Sequence, residues 1–97
     1  MHKPLTQAQK WMLTAADAIE RYGHRKGRLG CVNTGMCIRG AMFYAAGKLF
    51  DTAADQALAL VAARLGFDNL GQIIDWNNAP ERTAEEVIAA LRKVALS

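Results

Sequence analysis

Two Thr-x-x-Gln/Glu pairs, Thr6 with Gln9 and Thr83 with Glu86, each precede a run of apolar residues spaced three and four apart. That pairing lets the first side chain and the fourth residue satisfy each other's orphan backbone donors at a helix start. The spacing behind it lines apolar groups along one face of a helix. A chain that opens and closes on such units, with little polar–apolar alternation between them, is constrained to pack helices.

The first unit predicts a helix from about Leu5 to Tyr22, with Leu5, Ala8, Met12, Ala15, Ala16, Ile19 and Tyr22 inward and Gly23 as a left-handed stop. Ile38 to Ala46, rich in Ala, Met, Phe and Tyr, predicts a short buried helix ended by Gly47. Asp51 or Thr52 caps a third helix running to Leu65, with Ala54, Ala57, Leu58, Val61, Ala62 and Leu65 as its stripe and Gly66 as its end. The last helix follows Thr83 and turns Val87, Ile88, Leu91, Val94 and Ala95 inward.

Between these, Cys31-Val32-Asn33-Thr34-Gly35-Met36-Cys37-Ile38 reads as two short apolar runs around a turn, which is hairpin chemistry. Asn69 to Trp76 predicts one or two helical turns, and Asn77-Asn78-Ala79-Pro80 a loop, because the residue before proline avoids the helical region. The expected fold is therefore mainly α: a compact bundle of about four helices with a short β-hairpin near residues 29–38, one domain over residues 1–97.

The length permits one modest core, burying roughly 60–65% of the surface the unfolded chain exposes. With 52% apolar and 22% charged residues the composition is globular rather than disordered. No apolar run spans a bilayer, and the leading Met1-His2-Lys3-Pro4-Leu5-Thr6-Gln7 lacks the apolar block of a secretory signal. The expectation is a cytoplasmic chain with no membrane partner, in which Cys31 and Cys37 are reduced thiols.

Charge is unevenly spread. Residues 1–50 hold 8 Lys and Arg against 2 acids, a balance of +6, whereas residues 51–97 hold 4 against 7, a balance of −3. The asymmetry marks either a partner surface or two halves that attract each other. The densest basic cluster is Arg21, Arg25, Lys26 and Arg28 with His24, in a glycine-punctuated loop able to approach a phosphate-bearing partner. A solvated basic loop is the plainer reading.

Trp76-Asn77-Asn78-Ala79-Pro80 joins a large aromatic and two amides to a rigid proline. Trp76 is expected to anchor the loop to the core, with the Asn side chains bonding to turn backbone. The alternative is an exposed recognition loop. The segment from Val61 to Trp76 invites a helix-turn-helix reading, but its second helix brings no Lys or Arg and carries Asp75. A helix entering a polyanionic groove needs cations, so an ordinary helical corner is expected.

His24, Cys31 and Cys37 are zinc-compatible in type, but spacings of seven and six residues match no finger or ribbon. No nucleophile-elbow, phosphate-loop or dinucleotide pattern occurs. No catalytic, cofactor-binding or metal-binding residue is therefore assigned and no cofactor is expected.

The stretch Trp76-Asn77-Asn78-Ala79-Pro80-Glu81-Arg82-Thr83-Ala84-Glu85-Glu86-Val87 resembles the Trp-Asn-Asp/Asn-x-Pro-x-Arg-Thr-x-x-Glu-Val signature of a family of small uncharacterised proteins in actinobacteria and their phages. Met36-Cys37-Ile38-Arg39-Gly40-Ala41-Met42 is similar to the same family's Cys-x-x-Gly-Ala segment, and Ala15-Ala16-Asp17-Ala18-Ile19-Glu20 fits its leading helix. Asn78 stands where many of those proteins carry Asp. The resemblance implies a compact intracellular domain and no particular chemistry.

The function expected from these observations is non-catalytic binding of a macromolecule. The first expectation is a protein-interaction accessory factor, including a phage-encoded modulator of a host protein. Its partner-facing residues would be Arg21, Arg25, Lys26, Arg28, Trp76, Asn77 and Asn78. The alternatives are nucleic-acid or other polyanion binding through the 21–28 patch, and a zinc- or thiol-dependent enzyme. Self-association into a homo-oligomer through an alanine-rich helix face is a further expectation.

Overall fold

The computed structural model describes residues 4–97. His2 and the start of the leader lie outside the described residues.

Thr6 caps α1 (Gln7–Tyr22), and the expected reciprocal bonds form: Gln9 N donates to Thr6 Oγ1 at 3.1 Å and Thr6 N donates to Gln9 Oε1 at 2.7 Å. Met12, Ala15, Ala16, Ala18 and Ile19 are buried, while Leu5 stays exposed ahead of the helix. Gly23 ends α1 in an extended conformation (φ 104°, ψ 164°) rather than the left-handed helical one. That direction carries the chain straight into a strand-like run beside the hairpin, where Arg25 N donates to Met36 O and Met36 N donates to Gly23 O.

The hairpin itself is small. β1 (Gly30–Cys31) and β2 (Gly35–Met36) pair antiparallel, Gly30 opposite Met36 and Cys31 opposite Gly35. Because a lone hairpin is marginal in water, its stability comes from docking: Met36 is buried among the helices. Gly30 and Gly40 make this docking fit, since a β carbon on either would collide with the backbone carbonyl of Gly35 or Leu29 respectively.

Cys37 caps α2 (Ile38–Ala46), its Sγ accepting from Gly40 N at 3.3 Å, and Gly47 ends it in the left-handed conformation. Asp51 caps α3 (Thr52–Arg64) through Ala54 N at 3.0 Å. Ala54, Ala57, Leu58, Val61 and Ala62 form the buried stripe of α3. Thr83 caps α5 (Ala84–Leu96), again with both bonds of the reciprocal cap and with Val87, Ile88, Ala90, Leu91, Val94 and Ala95 buried.

The expectation of about four helices is corrected to five. The helical turns expected over Asn69 to Trp76 are present and run on through Asn77 and Asn78, the residues expected in a loop, as α4 (Leu70–Asn78), capped by Asn69 through Gln72 N. The Gln72 side chain returns to Asp68 N, closing the first turn despite Gly71 beside it. Asn77 and Asn78 thus lie in the last turn of a helix, which stops at Ala79, the residue before proline.

α1 is the hub, with α5 and α2 packed along it and α3 packed against α2 and α1; α4 rests on α3 and α2. Phe43, Met12, Ile19, Met42, Leu58, Ile73 and Leu91 fill the centre. Three of the ion pairs join the halves of the chain. Arg39 Nε and Nη2 reach the two carboxylate oxygens of Asp55 at 2.9 Å each. Arg92 binds Asp17 at 2.9 Å and Glu20 at 3.2 Å. No helix among the described residues is long and apolar enough to cross a membrane.

Candidate functional site

The two clusters singled out by sequence meet in space. Asn77 is fully buried and its amide uses both ends. Oδ1 accepts from Ile38 N at 3.0 Å and lies 2.8 Å from His24 Nε2, while Nδ2 donates to Arg25 O at 3.2 Å and to Asn78 Oδ1 at 2.9 Å. Asn78 Oδ1 also accepts from Gly27 N at 2.8 Å, and Lys26 Nζ donates to Pro80 O at 2.9 Å. The end of α4 therefore ties down the loop 24–27 and the N-terminus of α2 together.

This geometry commits most of the residues expected to face a partner. Asn77 has no capacity left over, Asn78 holds a backbone donor, and Lys26 is bound to a carbonyl. Trp76 is half-buried against the core, with Phe67 on one side and the Arg82 guanidinium 4.4 Å from its ring centre. Arg82 Nε also donates to Trp76 O at 3.0 Å and its Nη1 pairs with Glu86 at 2.7 Å. Arg25 is half-buried, with its Nε buried and unpartnered. Arg21 and Arg28 remain exposed, and Arg21 lies 5.4 Å from the Tyr22 ring centre.

His24, Cys31 and Cys37 serve separate local roles. His24 bonds to Asn77, Cys37 caps α2, and Cys31 is an exposed thiol in the hairpin. Among the described residues no group of three or more His, Cys, Asp or Glu is placed to hold a metal ion. The thiols differ in character: bonding to the Thr34 hydroxyl holds Cys31 below the usual thiol range, whereas burial pushes Cys37 up.

An apolar groove of about 450 Å³ opens between the hairpin and the end of α2. Cys31, Val32 and Met36 form one wall; Phe43, Tyr44 and Leu49 form the other, with Lys48 at its edge. Val32 is 42% exposed, Tyr44 45%, Leu49 62% and the adjoining Phe50 64%. Phe50 holds a left-handed backbone (φ 57°), a costly state for a large side chain with a β carbon. Its ring leans on Phe43 at 5.6 Å, and the Arg39 guanidinium lies 4.9 Å from the Phe43 ring and 5.8 Å from the Phe50 ring. Asp55 clamps that arginine, so the aromatic shelf is rigidly supported.

Sequence reasoning missed this surface, because its exposed members look like ordinary core residues. The one available signal was Leu49-Phe50 lying between a helix-ending glycine and a helix cap, where a connecting loop normally carries polar residues.

The chain matches the model of DUF6197, a family of unknown function, over residues 4–96. It belongs to that family. No curated protein and no solved structure matches it. For a DUF6197 chain the Trp76–Glu86 segment thus reads as a joint, in which Trp76, Asn77, Asn78, Pro80, Arg82, Thr83 and Glu86 each make a contact that holds α4, α5 or the 24–27 loop in place.

Proposed function

We propose that this DUF6197 protein is a non-catalytic protein-binding module that docks its partner on the groove between the hairpin and α2. One observation carries the reading: exposed Val32, Tyr44 and Leu49 line an apolar cavity, and exposed Phe50, in a strained backbone state, packs on Phe43 beside it. Exposed apolar patches rimmed by polar groups are the usual mark of an interaction site, and local strain persists where the surroundings enforce it. The module works in the cytoplasm, where Cys31 stays a thiol. The resemblance to small proteins of actinobacteria and their phages makes a modulator of a host protein the version to test first.

A photo-crosslinking amino acid at position 32, incorporated in cells, tests the surface directly. The expected result is a discrete adduct at position 32 that disappears when Leu49→Ser is added, with none from a probe at the exposed Ala89 on α5. Equal labelling from both positions would refute the assignment.

A further inference from the structure

We infer that the occupant of the groove is an acidic peptide segment of a partner protein, apolar on one side and carrying Asp or Glu beside its anchors; this rests on the docking surface proposed above. The volume suits about two or three apolar side chains. Phe50 lies beyond its lining and is 64% exposed. A small molecule sitting inside would leave it uncovered, whereas a chain segment lying across the opening covers it.

Charge selects the kind of segment. Among the described residues, the only charged one lining the groove is Lys48. Arg21 flanks it through Tyr22, whose ring meets Tyr44 edge-on at 5.9 Å. Of the nearby acids, Asp55 is bound by Arg39, while Asp51 is turned to the N-terminus of α3 as its cap. The only acids of residues 1–50, Asp17 and Glu20, are held by Arg92. The groove is thus an apolar slot on the half of the chain with an excess of positive charge, which steers and orients an acidic partner. A second copy of the chain is disfavoured for the same reason. A two-fold interface over the groove would bring the Lys48 and Arg21 charges of one copy close to those of the other.

A random peptide display library, selected on the intact protein and counter-selected on Leu49→Ser, tests this before any partner has been isolated. The enriched peptides should combine Leu, Phe or Trp anchors with Asp or Glu. In fluorescence anisotropy, Leu49→Ser should weaken the best of them about tenfold or more. Lys48→Glu should weaken it about fivefold, and added salt should do the same. Lys48 and Leu49 are exposed, so both variants should fold, which circular dichroism checks. Selected peptides lacking acids, or insensitive to Lys48→Glu, overturn the acidic occupant and leave the docking surface standing. No enrichment beyond the Leu49→Ser background removes the docking surface itself. A dimer in size-exclusion chromatography that Leu49→Ser converts to monomer assigns the groove to a second copy and overturns the inference.

Discussion

Nε2 of His24 lies 2.8 Å from Oδ1 of Asn77, although 53 positions separate them in the chain. The same oxygen accepts from the Ile38 amide, which fixes the orientation of the Asn77 carboxamide. His24 must therefore donate through Nε2, and its neutral form carries the proton there. Asn77→Ala would strand the Ile38 N–H and remove a donor from Arg25 O. We expect a loss of about 2–4 kcal/mol in urea denaturation. Asn78→Ala, at a half-exposed site, should cost about 1 kcal/mol.

Most of the helical frame was legible because it rests on local chemistry. The caps at Thr6 and Thr83, the stop at Gly47 and the inward stripe of α3 depend on neighbours within four residues. What was not legible depends on distant partners. α4 contains Gly71 and ends in two asparagines, both poor helix formers, and it persists because Ile73 and Asn77 are buried against other elements. The roles of Asn77 and Lys26 required knowing that residues 24–27 and 77–80 touch. The groove was hidden for a related reason: period and hydrophobicity cannot tell which apolar residues a fold leaves uncovered.

Phe43 and Phe50 touch, yet they should respond oppositely to mutation. Phe43 is buried, and Phe43→Ala should cost about 3–5 kcal/mol. Phe50→Asn replaces a strained, exposed aromatic with a residue that tolerates the left-handed region. Stability should stay within about 1 kcal/mol of the parent or rise, while peptide affinity falls. Paired denaturation and binding measurements check this.

The two thiols offer a direct chemical test. Iodoacetamide should modify Cys31 rapidly, with a pH profile shifted below that of a free thiol, and leave Cys37 protected in the folded state. Peptide mapping by mass spectrometry distinguishes them. Thr34→Val removes the hydroxyl that favours the Cys31 thiolate and should slow its reaction at neutral pH.

Glu86 gives a pH dependence of definite sign. Bonds from Thr83 N and Arg82 hold its carboxyl below the usual range. A depressed carboxylate contributes stability above its unfolded value of about 4.3, and that contribution is lost as pH falls through the lower folded value. Below roughly pH 4 the melting temperature of the parent should therefore fall more steeply than that of Glu86→Gln.

The close approach of Gly30 and Gly40 to neighbouring carbonyls carries a lesson for the lineage. Backbone-to-backbone contact admits no substitute of any chemistry, whereas an exposed apolar wall can be re-cut for a new ligand at small cost. Across DUF6197, descent should therefore hold these two glycines invariant while positions 32, 44, 49 and 50 diversify as each branch acquires its own partner.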